Sequence, residues 1–211
     1  MNLEGPWPPY QAYTSAKLLK DHALVSRPAI QVGAFTWARI QRLYDADAVV
    51  HWQRCEAEGL RCPQEVFAQL FHTDLAPQRT EESAGPMLSD LRSVTSIDWG
   101  RVRWELREMS GIALRHMRVD RVFQHALDEA RDYAVAYGIV DDREEVVNHW
   151  RDAKSWMVPP VAVSAELLGG GGGFELLVGF TRFGNLLGML DREEVPESQK
   201  HLAWVGRESR S

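Results

Sequence analysis

Residues 158–187 read VPPVAVSAELLGGGGGFELLVGFTRFGNLL, and the division of this stretch decides the fold. Pro159 and Pro160 forbid helix and favour extended chain, so VPPVAVS is expected as a strand. The five glycines Gly169–Gly173 follow. A phosphate-binding loop needs a lysine and a helix after its glycines. Here Phe174 and the apolar strand FELLV come next. The run is therefore expected as a flexible hairpin tip, because glycine loses the most backbone entropy on ordering. Gly179 has a different context. It ends a buried strand and precedes a helix marked by Phe183, Leu186, Leu187 and Leu190. Amides at such a helix start carry partial positive charge and attract an anion. Arg182 opposes the helix dipole in this first turn, yet its guanidinium can fork onto a phosphate or carboxylate. It reads equally as a surface arginine on an ordinary turn. HLAWVG (201–206) closes the chain as a strand.

Working outward, SIDWGRVRWELREMSG (96–111) alternates Val102, Trp104 and Leu106 with Arg101, Arg103, Glu105 and Arg107, the period of a strand with one wet face. ALRHMRV (113–119) reads as a second strand. Val119, Val122, Phe123, Ala126, Leu127, Ala130, Ala134 and Tyr137 recur at three and four, with Gly138 as a stop, and predict a helix. Asp141 and Glu144 have capping-box spacing ahead of a helix carrying Val146, Val147, Trp150 and Trp156. Nearer the N-terminus a helix is expected over 35–58, stopped by Gly59. Another follows Pro63 with the stripe Val66, Phe67, Leu70 and Phe71. Residues 73–90 have the composition of a linker. Residues 1–34 read as an irregular arm with a short helix near 16–22 and a short strand within 23–33.

The chain has 211 residues, 45% hydrophobic and 26% charged, with net charge −6. That is a soluble globular composition, long enough for a real core, and any nucleic-acid contact must use a local basic patch. No apolar run approaches the ~20 residues that span a bilayer. No basic region precedes an apolar core at the N-terminus, so no secretory leader is expected. Cys55 and Cys62 are too few for a disulfide scaffold. The spacing of His51, Cys55, Cys62 and His72 fits no compact zinc motif, and buried cysteines are the plainer reading. Six arginines between 101 and 121 face Glu105, Glu108 and Asp120, an excess of three positive charges. Arg101, Arg103 and Arg107 share one strand face, a candidate stripe for DNA phosphates; the plainer reading is a solvated face balanced by acids such as Glu105. His116 and His125 are isolated and read as structural.

Residues 158–206 resemble the core of the ParB/sulfiredoxin superfamily. The matching positions are Pro159, Pro160, Val161 and Val163, then Leu176, Leu177, Val178, Gly179 and Arg182, then Leu202, Trp204 and Val205. The likeness covers about a quarter of the chain and reaches back loosely to a first strand near 101–109 or 115–119. It implies an α+β fold: a ParB/sulfiredoxin-like mixed sheet, with an arm and helical region over 1–90 and the core, with a helical insertion, over 91–211. It implies nucleotide-phosphate binding by Gly179, Phe180, Thr181 and Arg182. ATP and a divalent metal such as Mg²⁺ are the implied cofactors. Arg182, Thr181 and Glu175 are the catalytic candidates, with Glu166, Asp98 and Glu105 as further carboxylates if the sheet gathers them. Phe180 stands where sulfiredoxins carry their cysteine, so that repair reaction is not expected, and Phe180–Thr181 replaces the charged or histidine pair of ParB-type nucleases.

The layout is similar to that of the plasmid oncogenic-suppression (Osa) and fertility-inhibition proteins. That likeness implies an inhibitor of conjugative and T-DNA transfer through type IV secretion, with ATPase and DNase activity. Its partners would be the secretion coupling protein and DNA. It would work in the bacterial cytoplasm, peripheral to the inner membrane through that partner. Two alternatives stay open: a non-enzymatic protein that docks on a secretion ATPase through its Trp-rich helical surface, favoured by Phe180, and a partition-type DNA binder.

Overall fold

The computed structural model describes residues 34–75, 87–141 and 143–209. The helix and strand expected in the N-terminal arm, and most of the expected linker, lie outside these residues. The described chain is α+β, built on one five-stranded mixed sheet.

Helix α1 (Trp37–Arg42) and helix α2 (Ala48–Ala57) replace the single helix expected over 35–58. Asp47 causes the break: its carboxylate accepts from the amides of Val49 and Val50, capping a fresh N-terminus. Gly59, at φ 106°, supplies the left-handed turn that ends α2. Pro63 then caps α3 (Gln64–Phe67), which continues through a π-helical segment (Ala68–His72) into a last turn, Thr73–Leu75. The expected stripe Val66, Phe67, Leu70 and Phe71 is fully buried. A short helix α4 (Arg92–Thr95) leads into strand β1 (Val102–Ser110).

The segment 113–119 departs from expectation. Ser110 accepts from the amide of Ala113 and starts helix α5 (Gly111–Arg115), leaving only Arg118–Val119 as strand β2. Helix α6 (Gln124–Tyr137) begins later than Val119 and ends at Gly138, φ 103°. Helix α7 (Glu144–Ala153) follows, but without the expected capping box. Asp141 instead accepts from the amide and guanidinium of Arg143. Strands β3 (Val161–Ser164) and β4 (Phe174–Val178) form the hairpin, helix α8 (Phe180–Asp191) starts directly after Gly179, and β5 (Lys200–Glu208) closes the sheet.

The strand order is β1-β5-β3-β4-β2. β1–β5 and β3–β4 are antiparallel, while β3–β5 and β4–β2 are parallel. Alternation sends neighbouring side chains to opposite faces. Val102, Trp104, Val161, Val163, Leu177 and Trp204 pack against α1–α4. Ala162, Leu176, Ala203 and Val205 pack with Leu127 of α6, Trp150 of α7, and Phe183, Leu186 and Leu190 of α8. The N-terminal helices therefore share a core with the sheet, and both sheet faces are covered by helices. The α6–α8 crossing is close because small residues meet there: Gly184 and Gly188 face Ala130 and Ala134.

Candidate nucleic-acid interface

The Gly179 turn forms where expected, but its arginine points inward. Gly179 adopts φ 98°, ψ 31° and stands at the N-cap of α8, and no side chain caps the helix among the described residues. Arg182 folds back over the glycine: a Cβ added there would lie 2.9 Å from Nη2 and 3.2 Å from Nε. The guanidinium donates to the Val158 carbonyl (3.0 Å) and to Gln69 Oε1 (2.8 Å). Gln69, buried in the π-helical segment, donates in turn to the Pro159 carbonyl (3.3 Å). The bare glycine thus makes room for its own arginine, which ties α8 to the start of β3 and to the N-terminal helices. Thr181 is exposed and lines a groove of about 720 Å³ with Ala126, Ala130, Tyr133, Tyr137 and Val140 of α6 and its following turn. Glu129 and Asp132 also line it, so this groove offers negative charge beside the helix start. Phe180 is half-buried and stacks on Phe123, ring centroids 4.5 Å apart.

The carboxylates do not gather at the turn. Glu175 lies on β4 opposite Val163 and beside Arg118 of β2, on the sheet face that Leu177 shares with the N-terminal helices. Burial pushes its pKa up, and nearby Arg118 only partly offsets that. Asp98 is structural, accepting from the amides of Phe35 and Gly100. Glu105 is exposed on β1 and Glu166 on the hairpin. Among the described residues no three His, Cys, Asp or Glu side chains form a metal-holding group.

His51 and His72 do meet, Nδ1 to Nδ1 at 3.3 Å. His51 Nε2 donates to the Ile40 carbonyl (3.1 Å), so its Nδ1 accepts from His72. Burial lowers both pKa values. Cys55 and Cys62 are buried core thiols, and burial pushes Cys55 up to about 12. His201, 1% exposed, contacts Ser155 Oγ at 2.9 Å while its Nε2 has no partner among the described residues. Burial holds its pKa down at about 4, so the ring is neutral.

The arginine stripe resolves into two parts. Arg101 precedes β1 and pairs with Glu208 at 3.1 Å. Arg103 and Arg107 join Arg207, which the sequence reading did not single out. The β1–β5 register sets Arg103 directly opposite Arg207, with Glu105 opposite Val205 and Arg107 opposite Ala203. All lie on the face that carries Val205, and Phe174 of β4 projects from the same face. The guanidinium carbon of Arg207 stands 5.0 Å from the Phe174 ring centroid, and that of Arg107 stands 5.5 Å away. Among the described residues Arg103, Arg107 and Arg207 form no ion pair within 4.0 Å, although Glu105 shares their face. Like charges directly opposite across a ladder are destabilising. A signal for Arg207 was present in the sequence, since the period-two alternation through Ala203 and Val205 continues to it. Its pairing with Arg103 needs the register.

No family model matches this chain, and no curated protein or solved structure matches it. No helix among the described residues is long and apolar enough to cross a membrane.

Proposed function

We propose that this chain binds DNA phosphates through Arg103, Arg107 and Arg207. We further propose that its sheet, hairpin and α8 form a ParB/sulfiredoxin-like core serving a plasmid-encoded inhibitor of conjugative and T-DNA transfer, acting on a type IV secretion coupling protein. One observation carries the binding reading: Arg103 and Arg207 sit directly opposite each other, with Arg107 four residues along the same face, and none of the three forms an ion pair among the described residues. An arrangement that costs stability in the free protein gains free energy when a polyanion screens the two facing guanidinium groups. The transfer-inhibition reading rests on the resemblance of residues 158–206 and on the layout.

Binding without cleavage is the form the geometry favours. Arg182 is occupied by Gln69 and the Val158 carbonyl, and Glu175 faces the N-terminal helical layer, so the candidates for ATP, Mg²⁺ and strand scission do not converge. DNA affinity measured against salt tests the reading. Neutralising about three phosphates gives a slope of log K on log salt near −2 to −3. The variant with Arg103→Ala and Arg207→Ala flattens that slope by roughly two. A wild-type protein with no salt-dependent affinity refutes it. A mating assay with the same variant tests the inhibitor reading separately: the double substitution should relieve inhibition, and unchanged inhibition leaves docking on the secretion ATPase as the mode of action.

A further inference from the structure

We infer that the arginine platform is built for single-stranded DNA, with Phe174 as the surface on which a base stacks; this deepens the DNA-binding reading and rests on it. Helices α6 and α8 cover the sheet over Ala162, Leu176 and Val205. Two residues further along the same face, Phe174 is half-buried and Arg103 and Arg207 are exposed, while Arg107, level with Ala203, is half-buried and reaches the Phe174 ring from the covered side. A helix is about 10 Å across with its side chains. The platform is therefore a floor beside a step of that height. A rigid duplex presents its charge along a wide rod and is usually met by a helix or ribbon that enters a groove. A flexible strand can lie along the step and fold neighbouring phosphates toward one spot.

The charge also converges rather than spreading. Arg103 and Arg207 are cross-strand partners, and Arg107 and Arg207 both reach the Phe174 ring. In the free protein both guanidinium groups lie over the ring; a base that stacks on Phe174 takes the place of one of them, and the displaced cation turns to the backbone, the division of labour that single-strand binders use. Ser164, the cross-strand partner of Phe174, sits between Phe174 and β5 and adds a hydroxyl to the same row.

The test uses the full chain with two fluorescent probes at one ionic strength: an oligo-dT strand of about 12 nucleotides, in the range that small single-strand modules cover, and a DNA hairpin with the same number of phosphates. Wild type should bind the strand roughly tenfold more tightly than the hairpin. Phe174→Leu keeps an apolar side chain but removes the π face; it should weaken strand binding about fivefold or more and leave hairpin binding unchanged. The Arg103→Ala, Arg207→Ala variant should weaken both, and Arg151→Ala, on the outer side of α7, should weaken neither. Hairpin binding as tight as strand binding, or strand binding indifferent to Phe174→Leu, overturns the inference while leaving DNA binding intact. Failure of both probes to bind wild type removes the reading beneath it.

Discussion

Replacing Gly188 of α8 by alanine should destabilise the protein, although alanine is the better helix former by about 1 kcal/mol. The reason is the distance between α6 and α8. An added Cβ at Gly188 would lie 2.6 Å from the Ala134 Cβ and 2.9 Å from the Arg131 carbonyl oxygen. At Gly184 the corresponding distances are 2.7 Å to the Ala130 Cβ and 2.8 Å to the Leu127 oxygen. Carbon atoms pack best at about 3.5–4.0 Å, so the helices must part by roughly 1 Å. The obstacles include backbone, which cannot rotate away. Parting them also loosens Leu127, Phe183 and Leu187, which share the core beneath the crossing. Overpacking of this kind costs about 1–3 kcal/mol and can cost more against backbone. Against backbone the cost lies toward the upper end of that range, so after the propensity gain the net loss is about 1–2 kcal/mol, equivalent to roughly 2–8 °C in Tm for a chain of this size. Calorimetry or urea titration measures it. Gly171→Ala is the internal reference: nothing lies within 4 Å of that position, and a shorter unfolded-state entropy gives a gain of up to about 1 kcal/mol. The Gly184→Ala, Gly188→Ala double variant should cost less than the sum of the two singles, because one separation of α6 from α8 relieves both clashes. A Gly188→Ala protein as stable as wild type would refute the close crossing.

Other outcomes follow from the same geometry. Gly179→Ala should cost about 1–2 kcal/mol, since φ is 98° and the new methyl meets Arg182 and Pro160, with the loss read by urea denaturation. Gln69→Ala and Arg182→Ala should show a coupling of about 0.5–3 kcal/mol in a double-mutant cycle, and strict additivity would mean that the 2.8 Å contact contributes nothing. The His201 pKa, held at about 4 in the folded protein, lies below its unfolded value near 6.5, so the unfolded chain takes the proton first as pH falls. Stability is then full above about pH 6.5 and falls toward pH 4 by up to roughly 1.4 kcal/mol per pH unit. His201→Gln should reduce that slope in denaturation midpoints taken from pH 7 to pH 5, with His51 and His72, both lowered by burial, supplying the remainder in the same direction.

Period and punctuation made most elements legible. The stripe Val66, Phe67, Leu70 and Phe71, the alternation through Val102 and Trp104, and the apolar face of α8 each state their burial in the order of residue types. Pro159 and Pro160 fix β3 as extended, and Phe174 after the glycines separates a hairpin from a phosphate loop. The misses are local competitions. Asp47 caps a new helix inside an apparently continuous pattern, and Ser110 starts α5 in a segment that reads as strand. At the candidate site, strand periodicity placed Arg103 and Arg107 on one face. It could not supply Arg207 as the partner of Arg103, because register is a property of two strands together. Gln69 gave one clue, a polar side chain inside an apolar stripe. Nothing in the local sequence says that its partner is Arg182, 113 positions away.

The two arginine sites lie at opposite ends of one strand. Gly179 follows the last residue of β4, and Phe174 is the first, so at about 3.3 Å per residue they stand about 17 Å apart. At the Gly179 end the left-handed glycine leaves space, and Arg182 fills it from within, satisfying the carbonyl of Val158 before the sheet begins. The positive charge there stabilises the fold. At the Phe174 end the arginines form no ion pair among the described residues, and Arg103 and Arg207 face each other across β1 and β5. A group whose bonding is complete within the fold needs no ligand, whereas a cluster of like charge gains free energy when one arrives. That asymmetry, more than the presence of a Gly-x-x-Arg turn, locates the candidate anion site at the start of β4.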